Sequence, residues 1–492
     1  MISVADRRIS SYLLLASLLC TLPVLIPTFP PLSDLPQHVA SIMVLHEVHF
    51  GSYVFADLFE FNWFRPYWLG YGLVWLLTPM VGVVWAAKLV IAASLVALVI
   101  AFLLLRREIN APATLDWLFL AVPFGFAYEW GFLTFIVCSP FGVLFLVHYL
   151  RYLKGQTHWL WMLAWMVFLF FGHLLILAFV CVIASLLALQ PPWKIRTLLG
   201  RIAPLLVSIP LGLAWILTNL EPRNVATPVD WELGAHRLIK LLPDLLSLDY
   251  TIMSMVLAPA MLSIPFVFGV RPKWTVSNVA PFAFYLLFMM LVPSTVFSNF
   301  GTYERFQLFG LMCFMFLLTD AEQEVPQSVA RFAPVLLLIP ALVGTLMVSR
   351  MAMKSYAFEQ ESAGFRVMVE SMEPGKRVYG MVESGYTEFA RSPAYLHFPV
   401  WYQVVHKGLV DFNFAYYNSL NAYYKRGEEG KIYGRLVFFP DEFDFDQHDG
   451  QIYDYFIVKS KEGLAERQFG NESRVSFLRY SRGWYLFRKS VE

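Results

Sequence analysis

The sequence predicts a polytopic α-helical membrane protein with a C-terminal extracytoplasmic domain of mixed α/β structure. Three observations predict it. The 492 residues are 58% hydrophobic and 17% aromatic but only 15% charged, where a soluble chain carries about 25% charged residues. The mean hydropathy is +0.57, and the apolar residues gather into blocks near the ~20 residues that a bilayer asks of a helix. From about residue 351 the charges return and short β-rich runs appear. A net charge of +1 without a long basic run excludes nucleic acid as a partner class. The four cysteines all lie inside apolar blocks, so no disulfide framework is expected.

The first block, Tyr12 to Phe29, follows Arg7 and Arg8 and has no small-residue cleavage site after it. It reads as an uncleaved first helix with a cytoplasmic N-terminus. Further blocks follow at 83–105, 114–128, 130–150, 158–171, 173–190, 202–220, 250–270, 277–297, 303–319 and 332–350. Together they make about eleven crossings. The block 67–81 is short. Treated as re-entrant or interfacial, it leaves Arg106/Arg107, Arg151/Lys154, Lys194/Arg196/Arg201 and Arg271/Lys273 all inside with Arg7/Arg8. The positive-inside rule prefers that arrangement. It places 351–492 outside, as a domain separate from the transmembrane unit 1–350 and its first outer loop 30–66. The protein is then a multi-pass inner-membrane protein with its C-terminal domain in the periplasm.

That parity collects the unusual polar residues on one face. Asp34 and His38 lie just outside the first helix. Glu129 falls in the outer turn of "YEWGFLTF", His173 in that of "FFGHLL", and Glu304 and Arg305 in the link "SNFGTYERF". The outer loop 221–249 adds Arg223, Asp230, Glu232, His236, Arg237 and Lys240. Ionisable groups at a membrane boundary are costly and point to function.

Each also has a plainer use. Asp34 with Gln37 fits a capping box opening a helix in "LPQHVASIMVLHEV", with Pro36 in its first turn. His38, His46 and His49 match no familiar zinc spacing. His173 can bond a neighbouring helix, Glu304 and Arg305 can pair with each other, and Lys88 can snorkel.

In the tail, "KRVYGMV", "AYLHFPVWYQVV", "GRLVFFP" and "YDYFIVKS" read as strands. "VSFLRYSRGWYLFRK" reads as a hairpin turning at Ser-Arg-Gly. Tyr402, Tyr416, Tyr417, Tyr423 and Tyr424 can stack on sugar rings or fill the core. "NES" at 471–473 fits a glycosylation acceptor in a host that glycosylates its exterior.

"DLPQH" in the first loop, "WGFLTF", "GHLLILAF", the outer "YERF" and "YDYFIV…WYLFRK" occur in order along the chain. As a set they resemble a bacterial group of GT-C-like membrane proteins. The overall plan of one helix, an outer loop opening on aspartate, many helices and an outer terminal domain is similar to the GT-C glycosyltransferases. The resemblance implies transfer of a sugar from a polyprenyl-phosphate donor to a glycan, lipid or protein acceptor at the outer membrane boundary, among membrane lipids. Where GT-C enzymes often carry paired acids in the first loop, this chain has Ser33-Asp34, which weakens the case for a divalent cation; no other cofactor is implied.

A polyprenyl phosphate is already a good leaving group, so one base suffices, and Asp34 is the candidate. Arg305 is the first choice for the departing phosphate, with Arg237 and Lys240 in reserve. His38, Glu129, His173 and Glu304 complete the candidate substrate-binding set. A transporter or flippase of lipid-linked sugars, or a non-catalytic assembly partner, are the other classes. Against a transporter stand the lack of a clear repeat and the placement of polar groups at the edge rather than at mid-membrane.

Overall fold

The computed structural model describes residues 4–218, 229–246, 248, 251–296, 299–320, 322–323, 327–417, 421–425, 427 and 434–490. Arg223 lies outside them. Among the described residues, four helices are long and apolar enough to cross a membrane: Val83–Glu108, Leu133–Leu153, Ile195–Thr218 and Ala333–Glu370. Six shorter apolar helices accompany them, including Ser11–Leu25 and Trp68–Val81. The 14 residues of Trp68–Val81 make a helix ~21 Å long, short of the ~30 Å hydrocarbon core. Gly82, with φ of 78°, turns it directly into Val83–Glu108.

The block 114–128 does not form one helix. It is broken into 3₁₀ segments, Ala113–Leu120 and Val122–Phe124, and a five-residue helix, Phe126–Trp130. Pro123 and Gly125 interrupt it, since proline removes a helical N–H and glycine weakens the helix. Within it Asp116 is fully buried and takes two hydrogen bonds from Arg106, at 3.1 and 2.9 Å. Lys88 does not snorkel; it is buried and donates to the Pro27 carbonyl at 2.7 Å.

Ala333–Glu370, here α5 after Leu35–Phe50 (α1) and the other three long helices in chain order (α2–α4), has 38 residues and a length of ~57 Å. It therefore continues well beyond a bilayer and runs unbroken through residue 351. Its C-terminal end carries a five-stranded sheet of Arg377–Val382 (β1), Leu409–Val410 (β2), Tyr455–Lys459 (β3), Val475–Ser481 (β4) and Trp484–Lys489 (β5), in the order β2-β1-β3-β5-β4. The pairs β1/β2 and β1/β3 are parallel, and β3/β5 and β4/β5 antiparallel.

The β4–β5 hairpin closes with Ser481 opposite Trp484. Arg482 and Gly483 both have positive φ, 49° and 79°, as a two-residue type I′ loop requires. Its tip packs on α5 at Gly364, where an added Cβ would stand 2.4 Å from the Ser481 carbonyl oxygen.

Two expected strands are absent. "AYLHFPVWYQVV" forms turns and then the helix Val400–His406 (α6), and "GRLVFFP" contains a 3₁₀ turn at Gly434–Val437. Both are short apolar runs, whose periodicity does not separate a strand from a buried helix. The C-terminal region is joined to the loop 30–66 by an antiparallel ribbon, Phe59–Phe61 with Ala422–Tyr424.

Candidate active site

The quoted motifs of the first loop and of "YEWGFLTF" build one backbone unit. The Asp34 N–H donates to the Trp130 carbonyl at 2.8 Å, and the Ser33 N–H to that of Glu129 at 3.4 Å. Gly131, with φ of 73°, makes this close approach feasible. A Cβ there would lie 2.9 Å from Leu32 Cβ and 3.0 Å from the Leu35 nitrogen. Left-handed backbone and lack of space both demand glycine.

Asp34 occupies the N-cap position of α1, yet its side chain makes no capping hydrogen bond. The capping box is absent as well, because Gln37 faces the C-terminal region. It donates to the Phe412 carbonyl at 3.5 Å and accepts from the Phe414 N–H at 3.0 Å.

The Asp34 carboxylate is 13% exposed, and His397 faces it, with Nε2 3.6 Å from Oδ1. That separation is too long for a hydrogen bond. Burial pushes the Asp34 carboxyl up to about 7, partly offset by the positive charge of Arg305. A low-polarity surround disfavours the ionised form, and a nearby cation restores part of it.

Arg305 is the cation of this site. It is buried, its Nε donates to the Gly301 carbonyl at 2.9 Å and its Nη2 donates to that of Phe300. Its guanidinium lies over Phe132, 4.2 Å from the ring centre. It does not pair with Glu304, whose carboxylate accepts from Ser294 Oγ at 2.5 Å. Among the described residues no carboxylate comes within ion-pair distance of Arg305.

The histidines divide. His38 Nδ1 is 2.8 Å from the Tyr71 hydroxyl. Burial, then the Arg305 charge, holds its imidazolium form down to about 3. His173 is buried edge-on to Tyr67 and Phe135, and among the described residues its Nδ1 has no hydrogen-bond partner. His46 and His49 turn elsewhere, to Glu47 and to the Leu45 carbonyl. Among the described residues no three His, Cys, Asp or Glu side chains converge. A lone carboxylate beside an arginine does not match the oxygen-rich shell of a hard divalent cation.

Glu129 and Arg237 serve as fasteners. Glu129 is buried and takes Arg391 Nε at 2.7 and 2.6 Å, while Ser392 Oγ donates to its carbonyl at 2.7 Å. This clamps the C-terminal region onto the loop that holds Asp34. Arg391→Ala should strand a buried carboxylate and lower stability by about 3 kcal/mol, read as a drop in melting temperature. Glu129→Gln with Arg391→Ala should recover part of it. Arg237 is buried with Nη1 donating to the Met289 and Val292 carbonyls, at 3.1 and 2.8 Å, and Nη2 to that of Trp231. Lys240 is half-buried one turn further along the same helix, Ala235–Asp244.

His397 went unread in the sequence, together with Tyr67 and Tyr71. Its ring stacks on Phe412 at 5.8 Å and meets Phe414 edge-on at 5.3 Å, and burial holds its imidazolium form down to about 3.

No protein-family model and no curated protein sequence matches the chain. Solved structures do. ArnT from Cupriavidus metallidurans bound to undecaprenyl phosphate aligns with a TM-score of 0.54 at 12% identity, over 98% of each chain. The same protein in the apo state aligns with a TM-score of 0.53. Arabinofuranosyltransferase AftD from Mycobacteria aligns at 0.54 and 13% identity, over 99% of this chain and 40% of that one. The chain thus has the fold of the GT-C membrane glycosyltransferases.

Proposed function

We propose that the protein is an inverting glycosyltransferase that moves a sugar from a polyprenyl-phosphate donor to a hydrophilic acceptor at the outer face of the inner membrane. One observation carries the reading. A nearly buried carboxylate with no capping bond sits within the field of a buried arginine that, among the described residues, forms no ion pair. Burying a charge is costly, and a counter-ion lowers that cost. Here the donor phosphate supplies it. The likeness to ArnT, a protein solved with undecaprenyl phosphate, supports the donor class.

In this mechanism the sugar–phosphate ester lies between Arg305 and Asp34. The acceptor hydroxyl attacks the anomeric carbon from the face opposite the phosphate and passes its proton to Asp34. The bond to phosphate breaks with its electron pair leaving on oxygen, where Arg305 stabilises the charge. His173, with a buried unpartnered Nδ1, contributes a further polar contact to the donor. Glu129, Glu304, Arg237 and Lys240 shape the loops around it. The lipid tail stays in the bilayer throughout.

Purified protein in nanodiscs, given radiolabelled polyprenyl-phosphate sugar and envelope acceptors, should release free polyprenyl phosphate. No release with any donor–acceptor pair would refute the proposal. Because the base acts only when ionised, kcat/KM should rise with pH through about 7 and level off above it. Arg305→Ala removes the charge that favours ionisation, so the residual activity should need a higher pH. A reporter fused after Glu492 should be active in the periplasm, and one fused after Gln190 in the cytoplasm. A cytoplasmic C-terminus would contradict the assigned face.

A further inference from the structure

We propose that the C-terminal domain supplies the acceptor half of this site, with His397 holding the attacking hydroxyl against Asp34. The inference rests on the glycosyl-transfer reading and adds to it the group that receives the acceptor.

Asp34 and His397 are both nearly buried, and their polar atoms face each other at 3.6 Å. Among the described residues neither side chain makes a hydrogen bond within the protein. Buried polar groups as a rule have partners. These two lack one, and their spacing lets a single hydroxyl oxygen reach both. In the Nε2–H tautomer His397 donates to the lone pair of that oxygen while its O–H points to the carboxylate. The oxygen then forms its bond to the anomeric carbon, the proton moves to Asp34, and the phosphate leaves with its electron pair.

The surroundings divide the site in two. The Arg305 charge bears on Asp34 and His38, whereas the titratable neighbour that bears on His397 is the neutral His38. The phosphate side is thus built by the membrane unit and the hydroxyl side by the outer domain. Beside His397 the wall is aromatic: Phe412 stacks on it, and the half-buried Tyr417 lies 5.7 Å from Phe412 and within the field of Asp34. A flat apolar face next to a hydroxyl clamp suits the ring of a carbohydrate acceptor. The hydrogen bond from Gln37 to the Phe412 carbonyl, that from the Phe414 N–H to Gln37, and the Glu129–Arg391 clamp hold the two halves in register.

His397→Phe keeps the stacked ring and removes the N–H, and His397→Gln restores a donor. Wild type and both variants would be assayed in nanodiscs with labelled polyprenyl-phosphate sugar against a panel of oligosaccharides and of serine or threonine peptides. His397→Phe should raise the acceptor KM about 10- to 100-fold while donor KM and melting temperature hold, and His397→Gln should recover part of it. Tyr417→Ala should raise the acceptor KM for oligosaccharides. An unchanged acceptor KM in His397→Phe, or an equal rise in donor KM, would overturn the assignment. Peptides as the better acceptors would overturn the carbohydrate class. An inactive wild type would instead overturn the glycosyl-transfer reading, and this assignment with it.

Discussion

Asp34→Asn should abolish transfer, by ~10²-fold or more, in a protein that is more stable than the wild type at alkaline pH. The amide keeps the shape but cannot accept the acceptor's proton. The gain in stability follows from the direction of the shift. In the unfolded chain Asp34 ionises near its ordinary 3.8, and in the folded protein only near about 7. Between those values unfolding releases a proton, so the wild type loses stability as pH rises from about 4 to about 7 and stays at the lower level above that. At ~1.4 kcal/mol for each unit of difference, the effect is on the order of a few kcal/mol. Asparagine carries no charge to desolvate and escapes it. Melting temperatures of the two proteins should therefore agree near pH 4 and diverge by pH 8, with the variant higher. Equal activity in Asp34→Asn, or a lower melting temperature at pH 8, would contradict the role given to this carboxylate.

The second large effect is expected at Arg305. Arg305→Ala should lower donor kcat/KM by ~10²-fold or more, the scale seen when one preorganised transition-state donor is lost. Arg305→Lys should recover only part. A lysine keeps the charge but loses the planar fork, which here bonds Gly301 and Phe300 while resting on Phe132. Turnover assays with both variants would show whether the arginine serves phosphate or only packing. Identical donor kinetics in wild type and Arg305→Ala would remove it from the mechanism.

Much of this site was legible because its parts are short motifs next to apolar blocks. "DLPQH" and "WGFLTF" stand out as polar or glycine punctuation at a membrane edge. In the fold they are hydrogen-bonded to each other through Asp34 and Trp130. Gln37 shows the limit of such reading. Its position three residues after Asp34 suits a capping box, but a long-range partner, the Phe412–Phe414 segment, takes its amide instead. His397 was hidden for a related reason. It lies far along the chain in an apolar run that resembles a strand, and only the packing of α6 against α1 brings it to Asp34. Tyr71, which bonds His38, is indistinguishable in sequence from the aromatic residues that merely fill the bundle. The β4–β5 hairpin was readable because its turn is local, and Arg482-Gly483 specifies it without outside help. The crossing expected at 114–128 failed on local chemistry too, since its proline and glycine outweigh its hydropathy.

The most direct test of a single-base transfer from lipid phosphate is the stereochemistry of the product. Wild-type protein would be supplied with a polyprenyl-phosphate sugar of known anomeric configuration and an acceptor it uses, and the new linkage determined by NMR. Direct displacement assisted by Asp34 predicts one product of inverted configuration, formed in step with free polyprenyl phosphate. A retained configuration would require a covalent intermediate or a different route, and would contradict the account.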